Sequence, residues 1–180
     1  MRPIEKRERL FRHSRPNLRT FEFYDGNDYH KDVKILWVAH KKKPFYGIDS
    51  DVNEIEFISA LGDINAEILI IEDENNQYKD RGPIGIILIH GDDWKIEPHA
   101  AFFPWATKKN ILRSAVAFFQ WARNTRKVGC ILVFVLPEGK NLYDRVCKYG
   151  VLHYVGKVVN GDPRGDEYLY SVKGSKGKKR

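Results

Sequence analysis

The chain has no apolar run long enough to span a bilayer, and its opening stretch MRPIEKRERLFRHSRPNLRT is too charged for the hydrophobic segment of a secretory signal. Secretion and membrane insertion are therefore not expected, and the reading is a protein that works in a cytoplasm or is packaged from one. Cysteine is scarce. Cys130 and Cys147 lie 17 positions apart, form no CxxC and belong to no Cys/His cluster. That excludes a zinc ribbon, a redox pair and a secreted disulfide scaffold, and no metal site is expected. A P-loop, a Ser/His/Asp grouping and a paired-carboxylate motif are also missing. Acidic residues are rare at the ends. Residues 1–20 hold seven basic and two acidic side chains, and residues 171–180 hold five basic and none acidic, so the ends carry more than the whole net charge of +7. Such segments are usually solvated arms, and they suit an acidic protein surface, a virion or other assembly, or nonspecific contact with nucleic acid.

What is present is material for a core. The chain has 180 residues, of which 42% are hydrophobic and 13% aromatic, with no repeat and no linker to divide it. A domain of this size buries roughly 70% of the surface that its unfolded chain exposes, so it needs no covalent staple. The expected organisation is a basic arm over 1–20, one domain over 21–173 and a basic tail over 174–180.

Periodicity supplies the elements. TFEFYDG (20–26) reads as a short strand, and Val33, Leu36, Trp37 and His40 share the buried face of a helix that ends near Lys43, ahead of Pro44. Asp51 and Glu54 are spaced like a capping box before Ile55, Ile58 and Leu61, with Gly62 as the stop. AEILIIED (66–73) and GPIGIILIHGDD (82–93) read as buried strands of a hairpin, with His90 at a strand end. WKIEPHAAFFPWA (94–106) reads as a third strand, bent at Pro98, which has no N–H for a ladder.

Thr107 is the expected N-cap of a helix running to about Arg126. Ile111, Ala115, Phe118 and Ala122 form one apolar line on it, and Leu112, Val116 and Phe119 a second. A strand over 129–136, a helix over 138–150 ended by Gly150, and two final strands, LHYVGKVVN and DEYLYSVK, complete the order. The implied class is α+β or α/β, a mixed central sheet with helices on both faces.

That order resembles the GCN5-related N-acetyltransferase (GNAT) superfamily over residues 30–173. The phrases GPIGIILIHGD, AAFFPWATKKNILRSAVAFF and DRVCKYGVLHYVGKV carry the resemblance, with Gly150-Val151 standing where the superfamily commonly has Gly-Phe. Within it, the sequence looks most like divergent GNAT-like proteins encoded by tailed bacteriophages, among them an internal virion protein of podophages. The resemblance implies the GNAT fold, acetyl-CoA as cofactor and N-acyl transfer as the reaction. The superfamily fingerprint Gln/Arg-x-x-Gly-x-Gly/Ala lets backbone N–H groups approach the cofactor diphosphate at a helix N-terminus. Placing Pro104 on the proline that often precedes it sets Thr107, Asn110 and Leu112 on the three fingerprint positions.

By the same resemblance, Thr107, Lys108, Lys109, Asn110 and Arg113 are the cofactor-binding candidates. Three cations at the positive end of a helix oppose its dipole, a conflict that a bound anion removes and that side chains swung into water also relieve. Glu97 or His99 is the candidate base. Tyr143 is the candidate acid, about one turn before Val146, where the superfamily usually has its tyrosine.

The fingerprint departures leave two functions open. One is a divergent acyl-CoA-dependent N-acyltransferase of reduced or no activity. The other is a non-catalytic GNAT-fold protein of a phage virion that docks through its basic arms. The first requires the strand before Thr107 to splay from its neighbour.

Overall fold

In the computed structural model the described residues are 2–12, 14–21, 29–42, 44–45, 48–73, 82–92, 94–126, 130–163 and 165–173. Seven strands form one sheet: β1 (Asn17–Thr20), β2 (Glu67–Glu72), β3 (Gly85–Gly91), β4 (Lys95–Phe102), β5 (Cys130–Val135), β6 (His153–Asp162) and β7 (Gly165–Lys173). Their spatial order is β1-β2-β3-β4-β5-β7-β6, antiparallel throughout except for the parallel pair β4–β5. Five helices accompany them: α1 (Pro3–Leu10), α2 (Tyr29–Lys42), α3 (Glu54–Asp63), α4 (Lys108–Thr125) and α5 (Lys140–Cys147). Helix α4 is the crossover that makes β4 and β5 parallel.

The isoleucine-rich strands are buried on both faces, which is why they read as continuous apolar runs. Leu69, Ile87 and Val133 point into one core with Val116 and Phe119 of α4 and Val146 of α5. Ile68, Ile70 and Leu88 point into the other with Leu36 of α2 and Phe57 of α3. The mixed sheet with helices on both faces is the expected architecture.

Four local expectations are corrected. Within residues 1–20, read as a solvated arm, Pro3–Leu10 are helical and Asn17–Thr20 pair with β2, Leu18 opposite Ile71. The first strand therefore precedes TFEFYDG, sharing only Thr20 with it, and residues 22–26 of that stretch lie outside the described residues, as do 174–180. The capping box belongs to Asn53 and Glu56: the Asn53 carboxamide accepts from the Ile55 and Glu56 amides at 2.9 and 3.0 Å, and Glu56 accepts from the Asn53 amide at 2.8 Å. This shift turns Phe57 and Leu61 inward, leaves Ile55 80% exposed and carries the helix past Gly62 to Asp63. Finally, the segment before α5 is a separate 3-10 turn, Pro137–Gly139.

Gly150 does close the α5 region. Its φ of +67° is a left-handed conformation that costs glycine little, and a Cβ there would lie 2.8 Å from Pro3 Cβ, so the same residue admits α1 against the domain.

Candidate active site

Strands β4 and β5 pair at only two positions, Lys95 with Leu132 and Ile96 with Val133, whereas β4 stays in register with β3 as far as Phe102. Beyond Ile96 the two strands part. The Phe103 amide donates to Ile84 O at 2.9 Å, which fixes the phase. Odd-numbered β4 residues direct their backbone to β3, so Pro98, Ala100 and Phe102 turn theirs toward the opening. The missing N–H of Pro98 thus falls where no ladder needs it, and the feature read from sequence as a bend marks the splay of the sheet.

The opening is a cleft of about 260 Å³ whose lining includes Glu97, His99, Phe134, Ile111 and Tyr143. Glu97 and His99 share the face of β4 that also carries Ala101 and Phe103, which pack in the core under α2 and α3. Tyr143 approaches from α5, on the opposite face. Base and acid candidates from opposite sides of the sheet therefore meet in one cleft, and only the splay allows it.

Tyr143 is held by aromatic packing, its ring centroid 5.6 Å from those of both Phe119 and Tyr170. Burial pushes its phenol far above the ordinary range, so the O–H keeps its proton and can donate a hydrogen bond. Val146, three positions further along α5, is fully buried and does not reach the cleft lining. Below it, the Tyr170 hydroxyl donates to Asp144 Oδ1 at 2.8 Å, and Asp144 also pairs with Lys140, whose ammonium and the Tyr170 hydroxyl hold its carboxyl below the usual range. These bonds tie α5 to β7.

The start of α4 is organised differently from a glycine fingerprint. Thr107 is the N-cap: its hydroxyl oxygen accepts from the Asn110 amide at 3.1 Å, and Asn110 Oδ1 accepts from the Thr107 amide at 3.2 Å. The Ile111 amide bonds Thr107 O at 3.0 Å. Two of the first helical amides are thus already occupied, and the exposed Lys108 and Lys109 remain at this end. Leu112 is 8% exposed and packs in the core, so it does not wall off the turn as its bulk at a fingerprint position suggests.

Arg113 requires a correction. Read as a cation for a cofactor phosphate, it is buried, and its Nε lies 3.0 Å from Asp73 Oδ2, with further bonds to Leu10 O and, at 2.7 Å, Ser14 O. Asn110 Nδ2 adds a 3.0 Å bond to the same carboxylate. The anion that relieves Arg113 is part of the chain, because a buried guanidinium needs a partner and Asp73 lies within reach.

Glu138 and Glu167 also line the cleft. Sequence reasoning passed over both, as it did Asp73, because no spacing links them to β4; only the strand order brings β7 and the turn after β5 to the opening. Lys and Arg are not among the described residues that line it. Among the described residues no group of His, Cys, Asp or Glu has the makings of a metal site, and no helix is long and apolar enough to cross a membrane.

For a coenzyme A thioester the fit is uneven. The gap between β4 and β5 leaves the backbone of Pro98 and Ala100 facing the cleft, with Tyr143 in its lining. The phosphate end is left with Lys108 and Lys109.

No family model and no curated protein matches the sequence. Solved structures do match the fold. Spermidine N-acetyltransferase from Vibrio cholerae in complex with CoA and spermine is 14% identical, with a TM-score of 0.59 over 90% of this chain and 97% of that one. A SpeG mutant from the same organism gives a TM-score of 0.63 at 12% identity, covering 90% and 95% of the two chains. A dodecameric form in an intermediate state gives 0.61 at 14% identity over 90% and 95%. The chain has the GNAT fold.

Proposed function

We propose that this protein is an acyl-CoA-dependent N-acyltransferase acting on a cationic amine. The observation that carries this reading is the splay after Ile96, which opens a cleft to Glu97 and His99 from one face and Tyr143 from the other. A bound acyl-CoA supplies the activated acyl group, and a small one such as acetyl fits within a cleft of about 260 Å³. Glu97 or His99 takes a proton from the acceptor ammonium, and the Tyr143 O–H holds the proton that a departing thiolate requires. Lys108 and Lys109 face the phosphates. Carboxylates at Glu97, Glu138 and Glu167 make the lining attractive to a positively charged acceptor. A solved spermidine N-acetyltransferase of the same fold, in complex with CoA and the polyamine spermine, supports the same class.

Because the Thr107 hydroxyl already takes up the Asn110 amide, one of the few free amides of the first turn, cofactor affinity and turnover are expected to be low. Thermal denaturation with and without acetyl-CoA tests the reading. A ligand at 100 times its Kd stabilises by about 2.7 kcal/mol, and no shift at millimolar acetyl-CoA sinks it.

The self-contained cap formed by Thr107 and Asn110 favours a second reading, a non-catalytic GNAT-fold protein that docks through its basic ends on an acidic protein surface or a virion in a host cytoplasm. In that case removal of residues 174–180 weakens association without altering the fold. Association that falls steeply with salt and shows no protein partner indicates nonspecific nucleic-acid binding instead.

A further inference from the structure

We propose that His90 is a positioning residue of this cleft, standing behind Glu97 and His99 and setting the pH at which that pair takes up a proton. The inference rests on reading the cleft as an acyl-transfer site. From sequence alone His90 is a strand-end residue and nothing more.

His90 lies directly opposite Glu97 in the β3–β4 register. Opposed residues of an antiparallel pair share a face, with Cβ atoms about 5 Å apart. Its ring centroid is 5.5 Å from that of His99, the planes meeting at 77° in an edge-to-face contact. Glu97 and His99 line the cleft, whereas His90 is one strand further in and does not. It therefore acts through them. The titratable groups facing it from β4 are Glu97 and His99; Lys95 on that strand is paired with Glu97 at 3.5 Å. From the connection between α3 and β2 it meets the Asn65 backbone, which carries no charge.

Burial lowers the proton affinity of His90, while its bond with the Asn65 backbone and the Glu97 carboxylate pull the other way. A neutral ring here puts no positive charge beside Glu97 and His99, and two positive charges this close would repel each other. Through the register and the ring contact, a charge on either neighbour is felt at His90.

The test follows the imidazole resonances of the full chain against pH by NMR. With His99→Gln, His90 titrates at higher pH, because a like charge is gone. With Glu97→Gln it titrates at lower pH, because an opposite charge is gone. Shifts of roughly half a pH unit or more are expected, and a His90 titration unmoved by either substitution overturns the proposal. A His90→Gln variant adds a kinetic arm: kcat falls about tenfold, part of what a positioned base supplies, the acidic limb of the pH profile moves and KM for acetyl-CoA stays. An unmoved limb in a folded variant also overturns it. Coupled titrations in a protein that binds no acetyl-CoA support the coupling and overturn the acyl-transfer reading, so the two failures are distinct.

Discussion

Arg113 and Asp73 face each other at 3.0 Å with their side chains 4% and 0% exposed, a charge pair sealed into the base of α4. Asp73 directly follows β2, Arg113 lies on the second turn of α4, and the same guanidinium bonds the carbonyls of Leu10 and Ser14. One side chain thus joins the sheet, the helix beside the candidate cofactor turn and the N-terminal segment.

Breaking this pair leaves a buried charge without its partner, which typically costs about 3–5 kcal/mol. Arg113→Leu and Asp73→Leu are each expected to lose that much in chemical denaturation. The double variant is expected to recover part of the loss, since replacing both charges by apolar groups is often close to neutral. Additive losses would mean that the two residues do not act as a pair.

Tyr143→Phe keeps the ring contacts with Phe119 and Tyr170 and removes only the O–H. Stability should change little. If acyl transfer occurs, kcat falls by about 10²-fold while KM for acetyl-CoA is unchanged. Equal rates in the two proteins would remove Tyr143 from the chemistry.

His40 gives stability a pH dependence outside the cleft. It is fully buried, Nδ1 accepts from the Phe45 amide at 3.1 Å, and Nε2 lies 3.0 Å from Asp49 O. This is the neutral tautomer with its proton on Nε2, and desolvation lowers its pKa from 6.5. The unfolded chain therefore binds the proton more readily. Stability is intact above pH 6.5 and is lost as pH falls from there through the lower folded value. Denaturant midpoints between pH 7.5 and 5 should drop in the wild type and less steeply in His40→Gln.

Gly150→Ala tests the junction between α5 and α1. A left-handed residue with a Cβ costs about 1–2 kcal/mol, and this Cβ also meets Pro3. Lower stability together with faster proteolysis within residues 3–10 is expected. Unchanged cleavage would show that α1 does not depend on this contact.

The elements most legible in the sequence were those governed by short-range chemistry. The Thr107 cap, the end of α2 before Pro44 and the apolar lines on α4 each depend on residues a few positions apart. Even there, Asn53 displaced Asp51 as the cap of α3, because several side chains in Asp51–Glu54 can cap and packing of Phe57 and Leu61 selects the phase. Within residues 1–20 the charge count concealed structure: Lys6, Arg7 and Arg9 sit on α1, and Leu10 at its end and Phe11 just after it pack on the core. Glu97, His99 and Tyr143, candidates by residue type and resemblance, all lie in the lining of one cleft. Glu138 and Glu167 escaped because nothing local marks them.

By itself the sequence determined the order of strands and helices from α2 to β7 and the apolar faces of most of them, since a period of two or of 3.6 and a cap are written within one turn or one strand. Tertiary structure alone decided where the sheet opens, that Arg113 answers an aspartate 40 residues away and that His90 stands opposite Glu97. Strand register and the pairing of buried charges join distant parts of the chain, and no local pattern records which will meet.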